Sequence, residues 1–348
     1  MKTNHPKPLI GILTTKKANG SIAGNGPLFM ALQKKLISQD GISFVFTPED
    51  TNTDYITGYS FLPEQNHWIK EKFRYPDLVY NRIPFRKSEQ SDQCQQFLSL
   101  LKEKNIPFFN PCFIDKYELY EVLKNHPFLE TFLPQTILIH GKKDLFKFQK
   151  KHKSIYLKPA QSSKGKGIFR LKISGDSTLQ FDGIDHQKLY KSFDHFWGVW
   201  GKELLEKNYL AQEEVKSVQY KGSRFDFRIL AHANDSGYIV TGIGIRQSQD
   251  QEITTHIPSG GRFLPYVLLQ SKEHDRFIES IVPEIGKSLS DRFGYFGEFS
   301  IDAGVSITGQ YYIYEVNSKP MSFDEVEIEE KKIEQLCSLF LQLTDYEN

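Results

Sequence analysis

Strand-length apolar runs alternate with helical stretches over the first third of this chain, and that alternation restricts it to few sheet architectures. Leu9 to Thr14 and Ser43 to Thr47 read as short buried strands, with a helix near Leu28 to Ser38 between them. Asp77 to Asn81 is a further short apolar run. A helix over Ser91 to Lys104 follows, then Ile106 to Phe109. This order predicts a small open α/β sheet. The pair Asn110-Pro111 punctuates the chain and marks a boundary.

Beyond it the pattern changes. Asp115 to Lys124 reads as a helix with Asp115 at its N-cap. Ser154 to Ala160 and Ile168 to Ile173 are strands joined by a Gly/Ser/Lys loop. Residues 175–207 carry no clear pattern. Strands are expected at Tyr209 to Val215, Phe225 to Ala233 and Tyr238 to Gln247. Lys272 to Phe293 reads as a helix containing one proline. Gly297 to Val305 and Tyr311 to Val316 form a hairpin, and Glu325 to Leu343 a closing amphipathic helix. Strand-loop-strand units with flanking helices indicate an α+β region, not a second doubly wound sheet. The lysine cluster from Lys142 to Lys153 reads as a solvated helix face.

Composition narrows the function classes. Forty-four basic residues against 43 acidic ones give a net charge of +1, without the basic excess of a nucleic-acid-binding domain. Three scattered cysteines exclude a disulfide scaffold and a CxxC zinc site. No apolar run approaches the ~18 residues of a membrane span. With no export signal recognisable at Leu9 to Leu13, a cytoplasmic location is expected.

Three stretches carry candidate chemistry. In Tyr311-Tyr-Ile-Tyr-Glu-Val-Asn-Ser-Lys-Pro320, strand alternation points Glu315 and Asn317 the same way, along with Ile313. The upstream strand places Asp302 beside Glu315. Two carboxylates and an amide oxygen favour Mg²⁺ or Mn²⁺ over zinc, unless the hairpin merely turns polar residues to water. In Ile155 to Ile168, Lys158 sits inside an apolar strand and needs an anionic partner. The loop after it, with Ser163, Gly165, Lys166 and Gly167, has the parts of a lid over phosphates, or of a simple hairpin turn. On Phe225-Asp-Phe-Arg-Ile-Leu230, Asp226 and Arg228 share a face, and Arg246 projects similarly from the next strand. They form either a surface ion pair or a bidentate phosphate grip.

Taken in order, Ile114-Asp-Lys116, Leu157-Lys-Pro159 with Gly165-Lys-Gly167, Phe225-Asp-Phe-Arg228, Gly297-Glu-Phe-Ser-Ile-Asp302 and Tyr314-Glu-Val-Asn-Ser-Lys-Pro320 resemble the ATP-grasp superfamily from about Phe113 onward. Within it they look most like the YheC/YheD group of endospore coat-associated proteins. The resemblance implies an α/β N-terminal domain (1–112) before an α+β ATP-grasp fold (113–348), whose subdomains of about 113–208 and 209–348 clasp ATP. It implies Lys116 and Lys158 on the phosphates, backbone groups of the hinge Glu213, Glu214 and Val215 on the adenine, and Asp226 on the ribose. Asp302, Glu315 and Asn317 match magnesium ligands, and Arg228 and Arg246 match positions near the γ-phosphate and the acyl phosphate. The implied activity is ATP-dependent ligation of a small-molecule or peptide carboxylate to an amine acceptor through an acyl phosphate, in sporulation or spore-coat formation. The alternatives are a non-catalytic nucleotide-binding coat component and a kinase that stops after phosphoryl transfer. Spore-coat proteins are implied as partners; nucleic acid and membrane are not.

Overall fold

The computed structural model describes residues 7–162, 166–175, 178–184, 186–248 and 260–344. The first sheet is built from β1 (Leu9–Leu13), β2 (Ile42–Phe46), β3 (Ile56–Leu62), β4 (His67–Phe73), β5 (Leu78–Asn81) and β6 (Phe108–Phe109), in the order β4-β3-β2-β1-β5-β6. β2, β1, β5 and β6 run parallel, and β3 and β4 extend the edge as an antiparallel hairpin. That hairpin carries no apolar signature in β4, which is largely exposed and has three consecutive charged residues, Lys70 to Lys72, so composition alone does not reveal it. α1 (Gly26–Ser38) covers one face, and α2 (Arg86–Glu89) and α3 (Asp92–Glu103) follow β5. Phe97, Leu98 and Leu101 of α3 seal the opposite face against Leu13, Phe44 and Val79.

The second sheet is antiparallel, in the order β11-β10-β9-β8-β12-β7. α4 (Lys116–Lys124) precedes β7 (Thr136–Leu138). Then come α5 (Lys142–His152), β8 (Ser154–Pro159), β9 (Phe169–Ser174), β10 (Thr178–Asp182), β11 (Gln187–Tyr190), α6 (Phe193–Glu206) and β12 (Tyr209–Glu213). The stretch without a sequence pattern thus holds two strands and a helix. Gly198 and Gly201 blur the period of α6, and its helicity comes from burying Phe193, Phe196 and Leu204 on the sheet, where packing overrides weak propensity. The lysines of α5 are exposed, as the charge run suggested.

The third sheet contains β13 (Gln219–Tyr220), β14 (Ser223–Asn234), β15 (Gly237–Gln247), β16 (Arg262–Pro265), β17 (Glu298–Val305) and β18 (Tyr311–Asn317). Its main path runs β16-β15-β14-β17-β18. α7 (Lys272–Phe293) and α4 cover one face, burying Phe227, Ile229 and Ile301 against Ile278, Ile281 and Leu119. α8 (Val326–Leu343) does not stay with this sheet alone. Its Leu336, Cys337 and Phe340 share a core with Leu28, Phe29 and Leu32 of α1 and with β1 and β5.

Candidate active site

The chemistry-bearing side chains line the cleft between the second and third sheets. On β8, Ile155 and Leu157 enter the core, so alternation turns Tyr156 and Lys158 to the other face. Lys158 Nζ donates to Gln212 Oε1 at 2.6 Å, and Gln212 Nε2 is fixed by Thr136 Oγ1 at 3.1 Å. Burial pushes the Lys158 ammonium down to about 8, with Glu315 opposing the shift and Lys116 adding to it. Lys116 opens α4, whose N-cap Asp115 accepts from the Tyr117 and Glu118 N–H groups, as its place in the sequence predicted. Lys116 Nζ reaches Ser162 O at 3.0 Å and Glu315 Oε1 at 2.5 Å.

The facing sheet presents Asp226, Arg228, Arg246, Asp302, Glu315 and Asn317. Register sets Asp302 opposite both Arg228 and Glu315, and Asp226 opposite Arg246. One expectation is corrected: Ile313 does not share the face of Glu315. The β17–β18 pairing skips Tyr314 in a bulge, so Ile313 packs in the core while Glu315 turns into the cleft. Asn317 Nδ2 lies 3.2 Å from Asp302 Oδ2. Burial pushes the Asp302 carboxyl up to about 6; Arg228 pulls it down, and Glu315 and Asp226 push it further up. A desolvated carboxylate beside a second one is a site in want of a cation. The donors are all oxygen, which fits Mg²⁺ or Mn²⁺. Among the described residues no group of three or more His, Cys, Asp or Glu side chains is placed to hold a metal ion.

Arg246, 4% exposed, is held by Glu325 at 2.9 and 3.3 Å and by Asp324 at 3.3 Å. A Cβ on Gly244 would come within 2.5 Å of Glu325 Oε1, so the glycine opens the notch for that carboxylate. Arg228 lies over the Phe323 ring and donates to Met321 O at 3.3 Å. Arg224, absent from the sequence candidates, spans the cleft to Tyr156 Oη at 3.1 Å and lies 3.5 Å from Asp226 Oδ2. Gln212, Tyr314 and the Asp324–Glu325 pair were also missed. Their only sequence signal is position within or just beyond the quoted motifs.

The hinge residues divide. The Glu213 N–H donates to Gln135 O at 2.9 Å, and its carboxylate accepts from Gln135 N and faces His152 at 3.1 Å. The Glu214 N–H donates to Ser154 O, with its carboxylate 3.4 Å from Arg170. Both side chains therefore hold strand edges. Val215 follows and lines an open cavity of about 680 Å³ with Lys216 and Arg224. In the loop after β8, Ser163 and Gly165 lie outside the described residues. Lys166 is exposed. Gly167 has φ +73°, and a Cβ there would come within 3.0 Å of Pro159 and Tyr209, so only glycine suits the position.

Residues 105–346 match the family model described as YheC/D like ATP-grasp. The chain belongs to this ATP-grasp family. It is 28% identical over 334 residues to the endospore coat-associated protein YheD of Bacillus subtilis (strain 168), covering 91% of this chain and 74% of that one. Among solved structures, D-alanyl-alanine synthetase A from Vibrio cholerae O1 biovar eltor str. N16961 superposes with TM-score 0.56 at 13% identity, covering 99% of this chain and all of the other. The ATP-grasp ligase PsnB, complexed with a minimal precursor, superposes with TM-score 0.56 at 11% identity, covering 97% of this chain and 99% of the other. These likenesses establish the ATP-grasp fold. The family assignment places the motif residues of the cleft within the matched region. No helix among the described residues is long and apolar enough to cross a membrane.

Proposed function

We propose that this protein is an ATP-dependent ligase that activates a carboxylate as an acyl phosphate and joins it to an amine. The observation that carries this reading is the convergence of Lys116, Lys158, Arg228 and Arg246 with the oxygen set Asp302, Glu315 and Asn317 in one cleft. The structural neighbours support it at the level of the fold. One is a D-alanyl-alanine synthetase, and another is the ATP-grasp ligase PsnB complexed with minimal precursor, Mg and ADP.

In this reading Lys116 and Lys158 hold the phosphates of ATP. The base lies along the hinge of Glu213, Glu214 and Val215, with Asp226 at the ribose. Since the Glu213 N–H is already engaged, that residue can offer the base only its carbonyl, and a donor must come from nearer Val215. Asp302, Glu315 and Asn317 would hold Mg²⁺ or Mn²⁺, which neutralises charge on the phosphate oxygens. A carboxylate oxygen of the substrate attacks the γ-phosphorus, and ADP leaves. The acceptor amine then attacks the acyl carbon, phosphate departs, and the amide forms. Arg228, opposite Asp302, is placed to meet the charge that develops in these steps, where preorganised cations lower the barrier; Arg246 takes that role only by exchanging Glu325 and Asp324 for the phosphate. Lys166 and Gly167, the described end of the loop after β8, would belong to a lid that keeps water from the acyl phosphate. We place the activity in the cytoplasm of a sporulating cell, with spore-coat proteins as substrates or neighbours, in line with the name of YheD.

The test is an acid and peptide screen with hydroxylamine as the trapping amine. ADP and a hydroxamate in the same reaction are expected with the right acid. ADP without hydroxamate or amide favours a kinase, and no ADP with any acid favours a non-catalytic coat component.

Lys158 gives a narrower check. Lys158→Ala removes a charge-assisted contact worth roughly 1.5–3 kcal/mol. ATP affinity measured by calorimetry should fall about tenfold or more. Unchanged affinity in the folded variant takes Lys158 out of the site.

A further inference from the structure

Glu89 lies outside the cleft, yet it joins the two chain segments that deliver the cleft's most important side chains. It is 3% exposed and sits at the end of the single helical turn α2. Its Oε1 accepts the Phe113 N–H at 2.5 Å, and its Oε2 accepts Asn81 Nδ2 at 3.2 Å and pairs with Lys319 Nζ. Lys319 also donates to Asn81 Oδ1 at 3.0 Å. One turn earlier, Arg86 donates to Phe113 O at 3.0 Å and Ile114 O at 2.9 Å. The Phe113 ring lies against both cations, 4.6 Å from Lys319 Nζ and 5.3 Å from the Arg86 guanidinium.

Phe113 and Ile114 lead directly into Lys116. Lys319 stands two residues after Asn317. The helical turn α2 thus grips the approach to the phosphate lysine with Arg86 and Glu89, and the exit from the metal-ligand strand with Glu89 alone. Neighbouring bonds reinforce the second grip: Asn110 Nδ2 donates to Ser318 O at 2.7 Å, Arg82 Nη2 to Pro320 O at 2.8 Å, and Asn25 Nδ2 to Ser322 Oγ at 2.8 Å. These partners stand at the carboxyl ends of β5 and β6 and at the start of α1, the edge where an open parallel sheet holds a ligand. Here that edge holds the protein's own loop. A buried ion pair adds little net stability over an apolar pair of similar shape, because desolvation offsets its attraction. What it does supply is a fixed geometry with a defined donor and acceptor.

We propose that Glu89 is a positioning residue for nucleotide binding, setting the distance between Lys116 and the Asp302–Glu315–Asn317 set from the first sheet. The inference rests on the reading of those residues as phosphate and metal ligands. It predicts a split that a general loss of stability would not produce. Outer partners of a ligand set typically cost 10–100-fold in affinity when removed.

The experiment uses the full chain and three variants. ATP affinity is measured without divalent metal, and Mn²⁺ affinity is measured by electron paramagnetic resonance at saturating ADP. Arg86→Lys should weaken ATP about tenfold and leave Mn²⁺ unchanged. Lys319→Gln should weaken Mn²⁺ about tenfold and metal-free ATP by clearly less, since Lys319 also touches the Phe113 ring. Glu89→Gln should weaken both. If Glu89→Gln does not fold, the double variant Glu89→Gln/Lys319→Gln leaves no unpaired buried charge and should give the combined loss. Lower melting temperatures with wild-type affinities in all variants would overturn the proposal. A wild-type chain that binds no ATP would overturn the ligase reading first, and this inference with it.

Discussion

In the Glu315→Gln protein, ATP turnover should fall by on the order of a hundredfold or more while the fold survives. The carboxylate is paired with Lys116 and faces Asp302 across the β17–β18 ladder. An amide keeps the shape but is a poor ligand for a hard cation, and it cannot balance the Lys116 charge. The side chain is 31% exposed, so the change leaves no group stranded in the core. A coupled assay of ADP release, with circular dichroism and melting temperature as controls, checks the result. Turnover at the wild-type rate would remove Glu315 from the metal set.

The second large effect is on stability. Glu298 is fully buried and pairs with Arg82 Nη1 at 3.3 Å and Lys332 Nζ at 3.4 Å. The Tyr80 hydroxyl donates to it at 2.6 Å, and His232 Nε2 lies 3.8 Å away. Glu329 stands 3.6 Å from Lys332 on the same helix. Burial alone would raise the Glu298 carboxyl, but Lys332, Arg82, His232 and the Tyr80 hydroxyl outweigh it and hold it at about 2. Glu298→Gln strands two buried cations, which costs about 3–5 kcal/mol. For a chain of this size that is a drop of roughly 5–15 °C in melting temperature.

The same cluster sets an acid limit. Burial, with Lys332 and Arg82 adding to it, lowers the His232 imidazole from 6.5 to about 4. Both groups bind protons more readily in the unfolded chain, so their contribution is complete above about pH 6.5. It should decline as pH falls toward 4 with His232, and again between about 4.5 and 2 with Glu298. Acid unfolding followed by near-ultraviolet circular dichroism checks this. A melting temperature within a degree of wild type in Glu298→Gln would mean that the cluster is not held together by its carboxylate.

Much of the candidate site was legible because its residues sit on strands. Alternation alone places Asp226 and Arg228 on one face, and a short hairpin brings Asp302 beside Glu315. The bulge at Tyr314 was not legible, because one extra residue in a strand leaves no mark on composition while it reverses the face of everything before it. The Glu298 cluster had a signal that went unread, a carboxylate inside the apolar run Tyr295 to Ala303. Glu89 had none, and Lys319 only its place inside a quoted motif. They are 230 positions apart, and each looks like an ordinary surface charge until the fold brings them together. The β3–β4 hairpin and α6 were missed for a related reason, since their order comes from partners distant in sequence.

The shared core of α1 and α8 has a consequence for how the protein is made. β1, β2 and β5 leave the ribosome early, and α1 can cover only part of the face they form. Ile10, Leu28, Leu32 and Tyr80 stay without their last cover until Leu336, Cys337 and Phe340 have been synthesised. The earliest sheet to be made is therefore the last to be sealed. Throughout most of translation it offers an apolar surface to chaperones or to other nascent chains. A message that stops before Val326 would yield a chain complete in every proposed site residue and still prone to aggregate through its first hundred residues.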